Sequence, residues 1–425
     1  MVKWEEVRET LRQKLLHWKD YAVTLLKWLV FSLVVGVSVG VVGALFHMAI
    51  DRATGLREAQ GWILYLLPLA GLIIVWAYHV TGMSDDKGTE YIIGAVREGR
   101  ILRIRTAPLI FLSTVLTHLT GGSAGREGAA LQIGGSVAAS IGRLLRLGER
   151  NMNLIVMCGM SAVFTALFGT PLSATVFSLE VVSVGIVHYS ALFPCLLASL
   201  VTTGVTRLLG VHPEGYVLMG GPALDWQFML RTGLLAVACA LLSMAFCVLM
   251  HKTNHLYKKY LSNQYLRVLA GAAILIVLTL LVGSRDYNGA GGNVIEAALA
   301  GHAVPYAFLL KMLFTAVTLG AGFRGGEIVP TFFVGATFGC AAAPLLGLDP
   351  AFGGAIGMIA LFCGVTNCPL ASIFLSIELF GSSHVLFFAL ACALSYLLSG
   401  KFSLYSAQKI VYSKLEPRFI DENAR

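Results

Sequence analysis

A pattern of glycines and one glutamate occurs twice in this chain, 200 residues apart, and it constrains the fold more than any other feature. The first copy, Gly121 to Gly135, reads GGSAGREGAALQIGG, and the second, Gly322 to Gly335, reads GFRGGEIVPTFFVG. Gly122, Gly125, Glu127 and Gly135 recur as Gly322, Gly325, Glu327 and Gly335. Downstream, Gly159 to Glu180 (GMSAVFTALFGTPLSATVFSLE) recurs as Gly357 to Glu378 (GMIALFCGVTNCPLASIFLSIE) at an offset of 198. The chain therefore reads as two homologous halves. In a membrane chain, matched glycine-interrupted segments in two halves place an ion site between them, near the midplane.

That the chain is a membrane protein follows from its composition: 57% of residues are hydrophobic and 13% charged, against about 45–50% and about 25% in a soluble chain. An all-α polytopic membrane protein is expected. The net charge of +8 sits mostly at the ends and in loops, as an excess of Lys and Arg on cytoplasmic segments requires, and calls for no nucleic-acid partner. The eight cysteines lie within apolar segments, with neither metal-ligand spacing nor a disulfide framework, and read as small core residues. Residues 1–22 lack a cleavage site, so no secretory signal is expected and the first span acts as its own.

The first signature places Arg126 and Glu127 between two long apolar segments. A charge at membrane depth costs several kcal/mol, so such a pair is retained for a function. The glycines leave backbone N–H groups bare, and the apolar pattern after Glu127 starts a helix, so those N–H groups form a site for an anion.

In chain order, residues 3–20 carry Trp4, Val7, Leu11, Leu15 and Trp18 at helical spacing. They read as a cytoplasmic amphipathic helix, given the bounds 1–22. The first membrane half is 23–210, opening on a span from Tyr21 to Ile50 whose Gly36, Gly40 and Gly43 favour close helix packing. Residues 81–105 are too polar to face lipid and read as the lining of a vestibule. Residues 152–168 and 171–187, and again 352–366 and 369–380, are each shorter than the ~20 residues a span needs, so broken, tilted helices are expected. A loop at 211–226 divides the halves, the second half is 227–400, and 401–425 form a final helix and cytoplasmic tail, with no C-terminal regulatory domain expected.

Three motifs carry a resemblance over residues 21–412: GREGAALQ (Gly125 to Gln132), GGEIVP (Gly325 to Pro330) and GKFSLYSA (Gly400 to Ala407). In this order, within an inverted repeat, they resemble the CLC family of chloride channels and proton-coupled anion antiporters. The resemblance implies a CLC-type inverted repeat, a homodimer with a path in each subunit, and transport of a halide without metal or organic cofactor. It also implies roles. Glu127 matches the gating glutamate, which fills an anion site when the path is shut and carries a proton when it swings away. Gly125, Arg126 and Gly128, facing Ile328 and Val329, would cradle the outer anion, and Tyr405 would donate its hydroxyl to the central one. A prokaryotic plasma (inner) membrane and multi-pass topology are expected.

Departures from the family pattern narrow the reading. Ala129 replaces a proline, and Val181 stands where antiporters often carry an inner proton acceptor beside Glu180. Glu327, a carboxylate where chloride-type members have an apolar residue, resembles the fluoride/proton antiporter branch. The segment that contacts the central anion falls in residues 82–90, where either Met83 or Lys87 takes the place of the family's serine, depending on alignment. Fluoride/proton exchange is the favoured expectation, with proton-coupled chloride exchange and a passive chloride channel of the same fold as alternatives. An enzyme is not expected, because no nucleophile–base set or nucleotide loop is present.

Overall fold

The computed structural model describes residues 2–84, 88–99, 102–211, 215, 216, 218, 221 and 224–424. The repeat is visible at once in the order of its helices. The first half contributes α1 (Val2–Ala59), α2 (Leu67–Val80), α3 (Thr89–Glu98), α4 (Thr106–Leu119), α5 (Glu127–Leu144), α6 (Glu149–Phe168), α7 (Pro171–Glu180) and α8 (Leu192–Leu208). The second contributes α9 (Trp226–Tyr260), α10 (Gln264–Val282), α11 (Gly292–Leu299), α12 (Ala307–Ala321), α13 (Ile328–Ala342), α14 (Pro350–Thr366), α15 (Pro369–Phe380) and α16 (Val385–Leu398). Counted among the described residues, each helix of one half has a counterpart in the other. Among the described residues, seven helical stretches are long and apolar enough to cross a membrane, while α4, α12, α14, α15 and α16 are apolar but shorter, as broken spans require.

Local chemistry sets many boundaries. Pro171, Pro350 and Pro369 open α7, α14 and α15, where a missing N–H costs nothing. Asn263 and Asp349 accept hydrogen bonds from the first turns of α10 and α14. The matched breaks Gly169-Thr170-Pro171 and Asn367-Cys368-Pro369 both turn through the left-handed region, at φ 68° and 58°, with Asn the non-glycine residue that tolerates it best.

The most extensive packing is α13 on α14 and α5 on α6, the equivalent pairs of the two halves. Between the halves lies an aromatic seam: Phe168 meets Phe332 at 5.6 Å, Phe332 meets Phe362 at 5.3 Å, and Phe177 stacks on Phe362 at 6.0 Å. On α1, a Cβ at Gly36 would stand 2.7 Å from the Ala198 carbonyl, so the expected close approach is made, by α8.

Helices α7 and α15 run antiparallel and cap each other. Glu180 at the end of α7 accepts from the N–H groups of Leu370 (3.3 Å) and Ala371 (2.9 Å), and Glu378 near the end of α15 accepts from those of Leu172 (2.9 Å) and Ser173 (2.8 Å). Each carboxylate thus meets the positive end of the opposite helix.

Two expectations change. The amphipathic stretch and the first span are one helix, α1, of 58 residues; at about 87 Å it far exceeds a bilayer core, and its residues 17–26 are exposed on every side. No glycine or proline before residue 36 gives the chain a place to turn.

The final helix is absent among the described residues. After Leu398 the chain turns and forms β2 (Lys409–Tyr412) and β3 (Phe419–Asn423), which extend β1 (Ser183–Val184) into a small sheet in the order β1-β2-β3. Ile410, Val411 and Tyr412 are strand formers, and β1 presents an edge in register with Lys409 and Ile410.

Candidate functional site

The two signatures meet each other. Gly125 N–H donates to the Gly326 carbonyl and Gly326 N–H to the Gly125 carbonyl, both at 2.7 Å, as an isolated antiparallel bridge. That register sets Arg126 opposite Gly325, so the 200-residue offset exchanges the two strands, and an approximate two-fold axis runs between them. Glu127, the first residue of α5, and Ile328, the first of α13, therefore start helices from one point. The unmatched N–H groups of both first turns converge there.

Glu127 is fully buried, and its own carboxylate fills this convergence. Its Oε2 accepts from Arg126 N–H at 3.0 Å and from Val329 N–H, across the bridge, at 3.3 Å. A Cβ on residue 125 would stand 2.6 Å from that oxygen, so only glycine leaves room for the folded-back carboxylate. The Arg126 guanidinium lies 3.7 Å from Glu127 Oε1 and 3.2 Å from Asp51 Oδ1, and His47 holds the other Asp51 oxygen at 3.0 Å. With the Asp51 side chain 57% exposed and that of Glu127 0% exposed, this chain of charges leads from solvent to the buried carboxylate.

On the opposite side lies a cavity of about 800 Å³. Tyr405 and Glu327 border it deep in the protein, Tyr78 and Gln132 are in its wall, and Asn254, Lys258 and Ser262, all exposed, form its rim. Tyr405 is 1% exposed, and its hydroxyl has no hydrogen-bond partner among the described residues; nor does Glu327 Oε2. Both are polar atoms set in a cavity wall, ready to serve a small polar guest. Arg324 does not tether Glu327: its guanidinium stands 4.0 Å above the Tyr78 ring. Glu127 does not line this cavity, whereas Gly325 and Glu327, flanking Gly326 of the bridge, do.

Of the residues singled out from sequence, Gly125, Arg126, Glu127, Gly128, Glu327, Ile328 and Val329 gather at the bridge, with Tyr405 bordering the cavity below. The Gly128 carbonyl accepts from the Thr89 hydroxyl (3.2 Å) and from the Gln132 amide (3.2 Å). Met83 is not at the cavity. Its N–H closes a turn onto the Tyr78 carbonyl at 2.8 Å, which directs its side chain to the hydrophobic core and leaves Ser84 at the cavity wall. Lys87 lies outside the described residues.

Sequence reasoning missed Asp51, Thr89, Gln132 and Glu90. Glu90 and Thr89 open α3 inside the polar stretch assigned to a vestibule, and that assignment was the available signal.

The loop carrying Tyr405 is fixed by a buried polar knot. Gln408 donates to the carbonyls of Val181 (3.0 Å) and Thr366 (2.8 Å) and accepts from Asn367 and Ser403, both at 3.0 Å. Lys414 donates to the Tyr396 carbonyl at the end of α16 and reaches Ser399 and Asn367. Burial pushes its ammonium down to about 8.

Residues 69–400 match the family model described as voltage gated chloride channel. The chain belongs to that family. A protein of Pseudomonas syringae pv. tomato described as a chloride/fluoride channel protein is 37% identical over 395 residues, covering 91% of this chain and 87% of the relative. A crystal structure of a CLC-type fluoride/proton antiporter superposes with a TM-score of 0.87 at 31% identity, covering 90% of this chain and 98% of the other. A slow cyanobacterial Cl⁻/H⁺ antiporter, with a TM-score of 0.76 and 20% identity over 88% of this chain and 94% of its own, shares the fold. The CLC architecture read from the repeat is thus the architecture of a multi-pass membrane transport protein.

Proposed function

We propose that this CLC protein exchanges halide for protons across the inner membrane, with fluoride the favoured anion, as a homodimer with one path per subunit. One observation carries the reading: the Glu127 carboxylate occupies the N–H groups that converge where the two repeats meet, sealed between an exposed mouth and a deep cavity. A carboxylate seated on an anion site competes with the transported anion, and protonating it releases the site. Arg126 and Val329 N–H groups form the outer anion site, the Tyr405 hydroxyl the central one, and Glu327 takes a proton beside it. The fluoride preference is supported by Glu327, whose second carboxyl offers a strong acceptor anion a shared proton, and by the relatives described as handling fluoride.

Val181, fully buried and apolar, favours a second reading, a passive chloride channel, because it removes a carboxylate from the inner proton route. Purified protein in liposomes loaded with fluoride or chloride, followed by anion electrodes and an external pH probe, separates the two. Fluoride efflux that drives protons inward against their gradient is expected. Chloride efflux without proton movement would establish the channel instead.

A further inference from the structure

If Val181 cannot carry a proton, another group must, and the cavity restricts the choice. Lys258 and Arg267 line the rim end of the cavity, and Lys252 and Lys259 lie near Lys258 in the same last turns of α9, an excess of positive charge that marks that end as cytoplasmic. Among the described residues, two carboxylates line it, Glu327 and Glu90. Glu90 is half-buried in the first turn of α3, and its Oε1 accepts from Ser406 N–H at 3.3 Å and from the Ser406 hydroxyl. Ser406 follows Tyr405, so the carboxyl is held beside the residue whose orphan hydroxyl faces the anion route. The other oxygen, Oε2, makes no hydrogen bond among the described residues. Arg97, about two turns along α3, is engaged elsewhere, on the Ala407 carbonyl at 2.6 Å and on Glu98. The charged and titratable groups that share the cavity with Glu90 are His251, Lys258, Arg267, Arg324, Glu327, Tyr78 and Tyr405.

From this placement we infer that Glu90 is the inner proton station of the exchange, standing in for the carboxylate that Val181 lacks. The inference rests on the proton-coupled reading above. A hydronium ion from the cytoplasmic end gives its proton to Glu90 Oε2, leaving water and a neutral acid. The acid passes the proton through water in the cavity to Glu327, regenerating the Glu90 carboxylate, and Glu327 delivers it to Glu127 as that side chain leaves its N–H groups. In the direction of fluoride efflux the same steps run in reverse, from Glu127 to Glu327 to Glu90 to cytoplasmic water, as the halide moves outward, and no electrons change hands. A carboxyl with one oxygen anchored and the other free suits this task, since it keeps its position through both protonation states.

The test uses Glu90→Gln, Glu90→Asp and Glu90→Ala in the full chain, reconstituted beside the wild type, with fluoride and proton flux measured in the same vesicles. Gln retains an acceptor oxygen for Ser406 but cannot be protonated at working pH, so fluoride flux is expected to persist while proton flux falls at least tenfold. Asp is expected to restore proton flux in part. Ala, which drops the Ser406 bonds too, is expected to match Gln in proton flux and still pass fluoride. It serves as the second reading should Gln fold poorly. Proton flux retained in Gln or Ala would overturn the inference. So would Ala losing fluoride and proton flux together while Gln behaves as wild type, since Glu90 would then only position the Tyr405 loop. Wild-type protein that moves fluoride without protons would overturn the proton-coupled reading and this inference with it.

Discussion

Two pairs of glutamates are related by the same repeat, and they have met opposite fates. Glu180 and Glu378 remain symmetric: each accepts two N–H groups from the first turn of the other's helix, and together they bolt α7 to α15. Glu127 and Glu327 have diverged. The first is fully buried with Oε2 on two N–H groups, while the second leaves an oxygen without a partner at the cavity. A duplicated chain supplies two equivalent carboxylates wherever it supplies one. Where both are saturated by backbone the pair is structural, and where one is left open the symmetry is broken and the pair is available for work.

The largest expected effect comes from removing the working member. Glu127→Gln is expected to abolish proton movement while fluoride still crosses, read with the pH probe and fluoride electrode on one vesicle preparation. Undiminished proton flux would move Glu127 to the structural side of the comparison. The structural pair should respond in the other currency: Glu180→Ala or Glu378→Ala is expected to cost about 2–4 kcal/mol, from two charge-assisted bonds to otherwise unmatched N–H groups. A thermal unfolding series in detergent measures it, and the proton-to-fluoride ratio of the surviving protein should equal that of the wild type. A changed ratio with unchanged stability would reverse the two roles.

The same contrast explains what the sequence disclosed. Glu127, Glu327, Glu180 and Glu378 were all visible because the repeat aligns them, and the two-fold bridge at Gly125 and Gly326 is what such a repeat builds when its glycine loops meet. Tyr405 was visible through its motif. Residues without a counterpart in the repeat stayed hidden. Glu90 is defined by Ser406, 316 positions away, and no local pattern encodes that distance. Met83, offered beside Lys87 for the central site, packs on the hydrophobic core with its N–H on the Tyr78 carbonyl, while Ser84 lines the cavity. The tail was read as a final helix, whereas the β1 edge, more than 200 residues earlier, recruits it as strand.

Asp51 sharpens the comparison at its fine end, because it couples the open pair to solvent and has no role in the closed one. Its carboxylate holds Arg126 at 3.2 Å, and Arg126 is 3.7 Å from Glu127 Oε1, so Asp51 competes with Glu127 for one guanidinium. With its side chain 57% exposed, the pair contributes less than about 1 kcal/mol. Asp51→Asn removes one carboxylate that competes with Glu127 for Arg126, which steadies the seated Glu127 carboxylate and slows its release. A fall of about threefold in fluoride rate is expected, equivalent to roughly 0.7 kcal/mol, with the proton-to-fluoride ratio unchanged. Because an exposed pair is screened by salt, the difference from wild type should shrink between 0.05 and 0.5 M of an inert salt, values of the order needed to shorten the Debye length about threefold. A salt-independent loss would mean that Asp51 acts by packing, and a faster rate would mean that Arg126 draws Glu127 out of its seat instead of holding it there.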